Sequence, residues 1–304
     1  MSQAPATPKS ARARRLLTAA LRGPEAALRT GAPGPAEAAA LRLRAARPAR
    51  APEPAEVVFL VPLVGRHHVG DWEAVSARLA RTLASFAAQT DGRWQALVCG
   101  QDRPDIALDG RVTFLPFSDE IAGNDKWDKL ARLCAALPEA APQGYAMPFD
   151  ADDLLHPGAV AEMRARRAAG GYLVETGYVR DVARGRIALA GPRRPGAPLR
   201  KPFWKLCGSC AAFAFAGAPE DTAFLAAATR HEHRMFPYLA RLAGRPLSAL
   251  SRPSVLYELN HGENFGARRG RVSFKTGFVE RYRIDDPDRL AGIGEAFGLS
   301  PGGP

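Results

Sequence analysis

An α/β fold with a mixed, mainly parallel sheet flanked by helices is what this sequence predicts, and three observations carry the prediction. The run VVFLVPLV at residues 57–64 is β-branched and apolar throughout, as a strand buried on both faces must be. Downstream, strand-like runs alternate with segments of helical periodicity, the order that produces parallel strands joined by crossover helices. Carboxylates also gather just past predicted strands, and in parallel sheets ligands sit outside the carboxyl ends of the strands.

Taken in order, the first strand leads into a polar loop, GRHHVGD, and then into a helix over residues 72–89, where Val75, Leu79, Leu83 and Phe86 recur at helical spacing. Residues 94–99 (WQALVC) read as a second strand ending at Gly100-Gln101-Asp102, residues 112–116 as a third, and residues 125–137 as a second helix. Residues 144–149 form the fourth strand, followed by a helix over 158–169 and another strand over 172–179. Residues 192–201, rich in Pro, Gly, Arg and Lys, read as a loop. After the apolar run 211–215 come a helix over 229–242 and a late strand over 254–259, followed by Asn260-His261-Gly262-Glu263-Asn264. There is no internal repeat.

The formal charge of +11 is unevenly placed: ten of the Lys/Arg and three Glu fall within residues 1–55, so most of the excess lies there and the remainder is only mildly basic. That segment is rich in Ala, Pro and Arg and poor in aromatics, so it is expected to be a largely disordered basic tail, with a short helix over residues 10–21. Peripheral contact with anionic lipid, a solvated extension and an organelle transit peptide all suit its composition. No segment has the length of a membrane span or a secretory signal core, which makes the cytoplasm the default compartment, with the inner face of the membrane open to the tail. Four cysteines include one lone CxxC, Cys207-Gly-Ser-Cys210; without a second pair, packing is a better reading than zinc or redox work.

Phe149-Asp150-Ala151-Asp152-Asp153 places three carboxylates within four positions directly after an apolar strand. Such crowding raises neighbouring pKa values and costs desolvation unless a cation compensates. Hard divalent ions, Mg²⁺ or Mn²⁺, take one or two carboxylates together with diphosphate oxygens, so the motif points to a nucleotide-diphosphate site. A solvated acidic loop or a helix-capping cluster before Pro157 is the bland alternative. A phosphatase-type motif is disfavoured, because Leu154 or Leu155 stands where those enzymes carry Thr or Val.

In the order of these features the chain resembles the GT-A fold glycosyltransferases, most closely the family 2-like group, over about residues 57–264. Four elements carry the resemblance: the opening strand with Pro62, the Asp150-Ala151-Asp152 "DxD", a charged residue at the start of a late helix, and His261 after the last strand. It implies a Rossmann-like GT-A domain over residues 56–290, between the N-terminal tail and a C-terminal tail at 291–304. It also implies that Asp152, supported by Asp153, holds Mn²⁺ or Mg²⁺ against the donor diphosphate, with Asp150 beside the ribose or the metal and His261 in the metal shell, oriented by Asn260 and Asn264.

His231-Glu232-His233 sits where that family carries the base that deprotonates the acceptor hydroxyl. The segment departs from the usual Glu-Asp pair, so Glu232 and His233 are both candidates, and a polar helix start is the alternative. Met235 in place of a second His sets it apart from HExxH. Asp102 resembles the aspartate that reads a uridine base. Lys126 and Lys129, one turn apart at a helix amino terminus beside the DxD, suit a diphosphate or are ordinary surface charges. Arg66, His67 and His68 lie on the loop after the first strand, and Phe203-Trp204-Lys205-Leu206 suits either an acceptor site or apolar packing.

The expectation is a metal-dependent, inverting glycosyltransferase that moves a sugar from a nucleotide-sugar, a UDP-sugar first, to a hydroxyl acceptor such as a glycan or lipid-linked sugar. A non-catalytic nucleotide- or glycan-binding protein docked by its basic tail is the rival. Nucleic-acid binding by the tail is a weaker third idea, and no specific nucleic-acid partner is expected.

Overall fold

A computed structural model describes residues 3–299 except 54, 120, 122 and 263–271. The chain begins with three helices, α1 (Lys9–Leu21), α2 (Gly23–Arg29) and α3 (Pro35–Ala46). The α/β body follows with β1 (Glu56–Pro62), α4 (Trp72–Ala87), β2 (Trp94–Gly100), β3 (Val112–Pro116), α5 (Lys126–Ala140) and β4 (Gly144–Pro148). Next come β5 (Leu154–Leu155), α6 (Ala159–Arg166), β6 (Gly171–Leu173), β7 (Gly177–Asp181), β8 (Arg186–Ala190) and β9 (Ala211–Phe215). The described chain closes with α7 (Pro219–Ala228), α8 (Phe236–Leu242), β10 (Ser248–Ala249), β11 (Val255–Leu259), α9 (Val272–Arg281) and α10 (Pro287–Ala296).

Among the described residues a seven-stranded mixed sheet runs in the order β10-β6-β9-β4-β1-β2-β3. Strands β3, β2, β1 and β4 are parallel, and β9 is antiparallel to both β4 and β6. Because β1, β2 and β3 step one way and β4 lies on the other side of β1, the strand order reverses between β1 and β4, the point where parallel sheets open a crevice. The residues of β1 from Val57 to Val61 are fully buried, which explains its unbroken β-branched run. A smaller sheet, β5-β11-β7-β8, lies beyond the turn after β4.

Aromatic packing fixes the end of β4. The Phe59 and Phe86 rings stack with centroids 3.9 Å apart, and Phe149 meets both edge-on at 5.9 and 5.1 Å. The residue that precedes the acidic cluster is thereby locked between β1 and α4. Asp71 caps α4 by accepting the Ala74 N–H at 2.8 Å.

The N-terminal segment is folded, contrary to the disordered tail expected from its composition. The anticipated helix over 10–21 is present as α1, but α2 and α3 join it in a layer on α7 and α8. Ala40, Leu41 and Leu43 are completely buried. Arg15 donates to Glu37 at 2.5 Å inside this interface, and the Tyr238 hydroxyl donates to the same carboxylate at 2.6 Å. Counting aromatics misjudged the segment, because alanines let its helices approach the Ala-rich α7 closely and so bury area without large side chains.

Three further expectations are corrected. The strand over 172–179 is two strands in different sheets: Phe203 donates its N–H to Glu175 O, which draws the chain off the first ladder, and a Cβ at Gly177 would collide with the Phe203 ring. The helix over 229–242 starts only at Phe236, with Pro237 in its first turn, so His231-Glu232-His233 is an extended segment entering a short 3-10 turn, His233–Met235. Residues 291–299 are not a loose tail: the boundary at 290 cuts through α10, whose Ile293 and neighbouring Phe297 pack with Leu154, Ile187 and Leu256. No helix of the described residues is long and apolar enough to cross a membrane.

Candidate functional site

The carboxyl ends of β1 and β4 open into a cavity of about 910 Å³, lined there by Pro62, Leu63, Asp150, Ala151 and Asp152. Also lining it are Lys205 and Leu206, His233 and Arg234 of the next short turn, His261 and Lys275 of α9. The topology thus brings together four stretches of the chain: the DxD, the amino terminus of α5, the HEH segment and the turn after β11.

The acidic turn is built around the Cys207-Gly208-Ser209-Cys210 segment. Asp150 N–H donates to Ser209 Oγ at 2.8 Å, and Ser209 Oγ–H donates to Asp153 Oδ2 at 2.5 Å. The Cys207 thiol donates to the same carboxyl oxygen at 3.0 Å, and Thr82 Oγ1 donates to Asp153 O at 2.8 Å. All four cysteines are buried thiols, in keeping with the packing reading of the CxxC. Burial pushes the Cys207 thiol well up, with Asp153 and Asp150 adding to the shift, so it donates and is not a thiolate ligand.

The three aspartates part company here. Asp153 is fully buried and is not among the cavity-lining residues, which corrects its assignment as a metal ligand. Burial, then the Asp152 and Asp150 charges, hold its carboxyl well above the usual range, and with Ser209 and Cys207 donating to it, it is a structural group behind the site. Asp150 faces the cavity; burial pushes its carboxyl up, but Lys126, His233 and Lys275 outweigh this and hold it below the ordinary value. Lys126 donates to Asp150 Oδ1 at 2.5 Å. Asp152 Oδ2 lies 2.9 Å from His261 Nε2, so the fold brings these two residues together.

Asn260 does not orient His261 through its side chain, since its Nδ2 donates to Asp181 Oδ1 at 2.8 Å; its positive φ of 62° instead turns the chain after β11. Arg78 holds the turn by donating to His261 O at 2.8 Å. Asn264 lies outside the described residues.

Lys126 and Lys129 also diverge. Lys129 is 1 % exposed, donates to Leu63 O at 2.6 Å and pairs with Asp125 at 2.8 Å, so it ties β1 to α5 and its ammonium is already committed. Asp102 accepts the Arg66 N–H at 2.7 Å and is not among the lining residues; it closes the loop after β1, while His68 of that loop does reach the cavity.

In the HEH segment both candidates line the cavity, but in different states. Glu232 accepts from Arg234 at 2.7 Å. His233 has a buried Nε2 without a hydrogen-bond partner among the described residues. Burial, helped by the Lys275 and Lys126 charges, lowers its pKa to about 4 against the pull of a hydrogen bond to the Lys205 backbone and of Asp150, so the imidazole is neutral at pH 7. The segment is steadied by the N-terminus: Ala4 N–H donates to Arg230 O at 2.9 Å, Ala4 pairs with His231, and Gln3 lines the cavity.

Lys275 escaped sequence reasoning. Its Nζ donates to the Tyr257 hydroxyl at 2.7 Å and sits 4.5 Å from that ring, and burial pushes its ammonium down despite the acidic groups nearby. Only the packing of α9 against β7 and β8 brings it to the site, and no local pattern marks it.

Among the described residues no three His, Cys, Asp or Glu side chains are grouped to hold an ion. The donor set nonetheless suits a hard cation in a nucleotide site, where one or two protein ligands are completed by phosphate and water oxygens; Asp152 and His261 supply those two, with Asp150 on the same wall. Comparison with known proteins adds no closer definition: no family model matches this chain, and no curated protein matches it significantly.

Proposed function

We propose that this protein is a glycosyltransferase that transfers a sugar from a nucleotide diphosphate to a hydroxyl acceptor. The supporting observation is the convergence of Asp150, Asp152, Lys126 and His261 on one cavity at the point where the strand order reverses, together with a neutral histidine, His233. Asp152 and His261, with Asp150 adjoining, are the residues that would hold Mn²⁺ or Mg²⁺, which when bound stabilises negative charge on a departing diphosphate.

The chain's own groups do the rest. Lys126 at the amino terminus of α5 and Lys275 on α9 offer cationic contacts to phosphate oxygens. His233 Nε2 takes the proton of the acceptor hydroxyl as its oxygen bonds to the anomeric carbon and the bond from that carbon to the diphosphate oxygen breaks. Glu232, engaged by Arg234, is the weaker base candidate and serves to place the His233 turn. A single displacement of this kind inverts the anomeric centre.

Calorimetric titration of UDP, GDP and dTDP with Mn²⁺, with EDTA, and against Asp152→Ala tests the reading. Metal-dependent binding of one nucleotide that disappears in the variant is the expected result. Failure of all three nucleotides to bind under every condition sinks it.

A further inference from the structure

We infer that the outer lip of the cavity is a binding surface for an anionic saccharide, one whose carboxylate or phosphate groups are read by a cluster of side-chain cations. As the acceptor site of a transferase this rests on the function proposed above.

Charge is distributed unequally within the cavity. Deeper in the cavity Lys126 pairs with Asp150 and Lys129 with Asp125, while Arg78 donates to His261 O and Lys275 to the Tyr257 hydroxyl. At the lip, Arg193, Arg200 and Lys201 come from the loop before Phe203, Lys205 from the next turn, and Arg234 from the turn after Glu232. Glu232 is the acid among them, and Arg234 already engages it. Like charges gathered at one rim repel one another, and Lys205 registers this: burial, then Arg193, Lys9, Lys201 and Arg234, push its ammonium down. An arrangement that costs stability and that focuses positive potential over a cleft favours an anion there.

Saccharide is indicated by the apolar part of the same lip. Phe274 is 54 % exposed and lines the cavity, with the Lys201 ammonium 3.8 Å from its ring centroid. An exposed ring flanked by cations offers a face for sugar C–H groups and donors for the charges they carry. At about 910 Å³ the cavity is also near the upper end of single-ligand pockets, which leaves room for a second ligand beside a nucleotide.

The test uses the full chain and calorimetry at low salt. Hexagalacturonate, a phosphorylated maltohexaose and neutral maltohexaose are titrated into the wild type, into the lip variant Arg193→Ser/Lys201→Ser/Lys205→Ser, and into the equally discharged control Arg29→Ser/Arg42→Ser/Arg47→Ser. UDP and oligothymidylate are run alongside, and thermal melts confirm that each variant is folded. At least one of the two acidic saccharides should bind in preference to the neutral one, and which one does identifies the charged group. Its affinity should fall about tenfold or more in the lip variant and by less than about twofold in the control. UDP affinity should be nearly unchanged in the lip variant.

Equal binding of the neutral saccharide, an equal loss in the control, preference for oligothymidylate, or no saccharide binding at all overturns the inference. A matching fall in UDP affinity in the lip variant assigns the patch to the donor and likewise overturns it. Absence of UDP binding with the saccharide discrimination intact defeats the transferase reading and leaves the anionic-saccharide site standing.

Discussion

Asp150, Asp152 and Asp153 are three neighbouring carboxylates in three different surroundings, and substitution should separate them. Asp152, on the cavity wall beside His261, is expected to lose metal-dependent nucleotide affinity as Asp152→Asn with little change in melting temperature. Asp153→Asn should do the reverse: nucleotide affinity persists, and stability falls by about 1–3 kcal/mol because an amide placed in a buried, half-matched site leaves a donor unpaired. Equal loss of nucleotide binding in both would return Asp153 to the metal shell. His233 gives a pH prediction. Its folded pKa of about 4 lies below the ordinary 6.5, so the unfolded chain takes up a proton before the folded one does. Its contribution to stability is therefore complete above about pH 6.5 and lost as pH falls toward 4. On the proposed reading, a bound diphosphate offsets the Lys275 and Lys126 charges and moves this pKa upward. An NMR titration of the His233 imidazole with and without UDP checks both statements, and a value near 6.5 in the protein alone contradicts the first. The DxD itself was legible in the sequence because its residues are contiguous. Which aspartate turned inward was not, because the partners that decide it, Ser209 and Cys207, are more than fifty positions away.

At the scale of elements, the N-terminal layer departs furthest from expectation. Leu41 is fully buried where α3 meets α7 and α8, so Leu41→Ala should cost about 2–5 kcal/mol in a chemical denaturation curve. A disordered tail would leave the curve unmoved. The turn behind the acidic motif makes a sharper demand: a Cβ at Gly208 would stand 3.1 Å from Asp150 Oδ2, so Gly208→Ala should shift Asp150 and weaken nucleotide binding more than it lowers the melting temperature. Unaltered nucleotide affinity in that variant would mean that Asp150 does not touch the donor. Apolar runs and helical periodicity gave away β1, α4, β2, β3, α5 and β4, since β1, β2 and β4 are buried through nearly their whole length and α4 and α5 along one face. They missed the break between β6 and β7 and the late start of α8, where Phe203 and Pro237 interrupt patterns that continue smoothly in the sequence.

Over the whole molecule, one hydrophobic cluster runs from Ala19 in α1 through the large sheet to Val279 in α9. The N-terminal layer and the α/β body should therefore melt together, and a separate early transition in calorimetry, abolished by removing residues 1–46, would show that they do not. The charge of the chain is organised at the same scale, with basic residues of the first helices partly drawn into internal pairs such as Arg15 with Glu37 and those of the later loops gathered at the cavity lip. Taken alone, the sequence determined the α/β class, the order of the main strands and the acidic turn at the end of β4. Those depend on local periodicity and on residues a few positions apart. Tertiary structure alone decided that an Ala-rich basic segment folds, that Asp153 and Lys129 are structural, and that Lys275 and the lip cations share a cavity with the DxD. Burial and electrostatic environment come from surfaces meeting across the fold, and a linear pattern does not encode which surfaces meet.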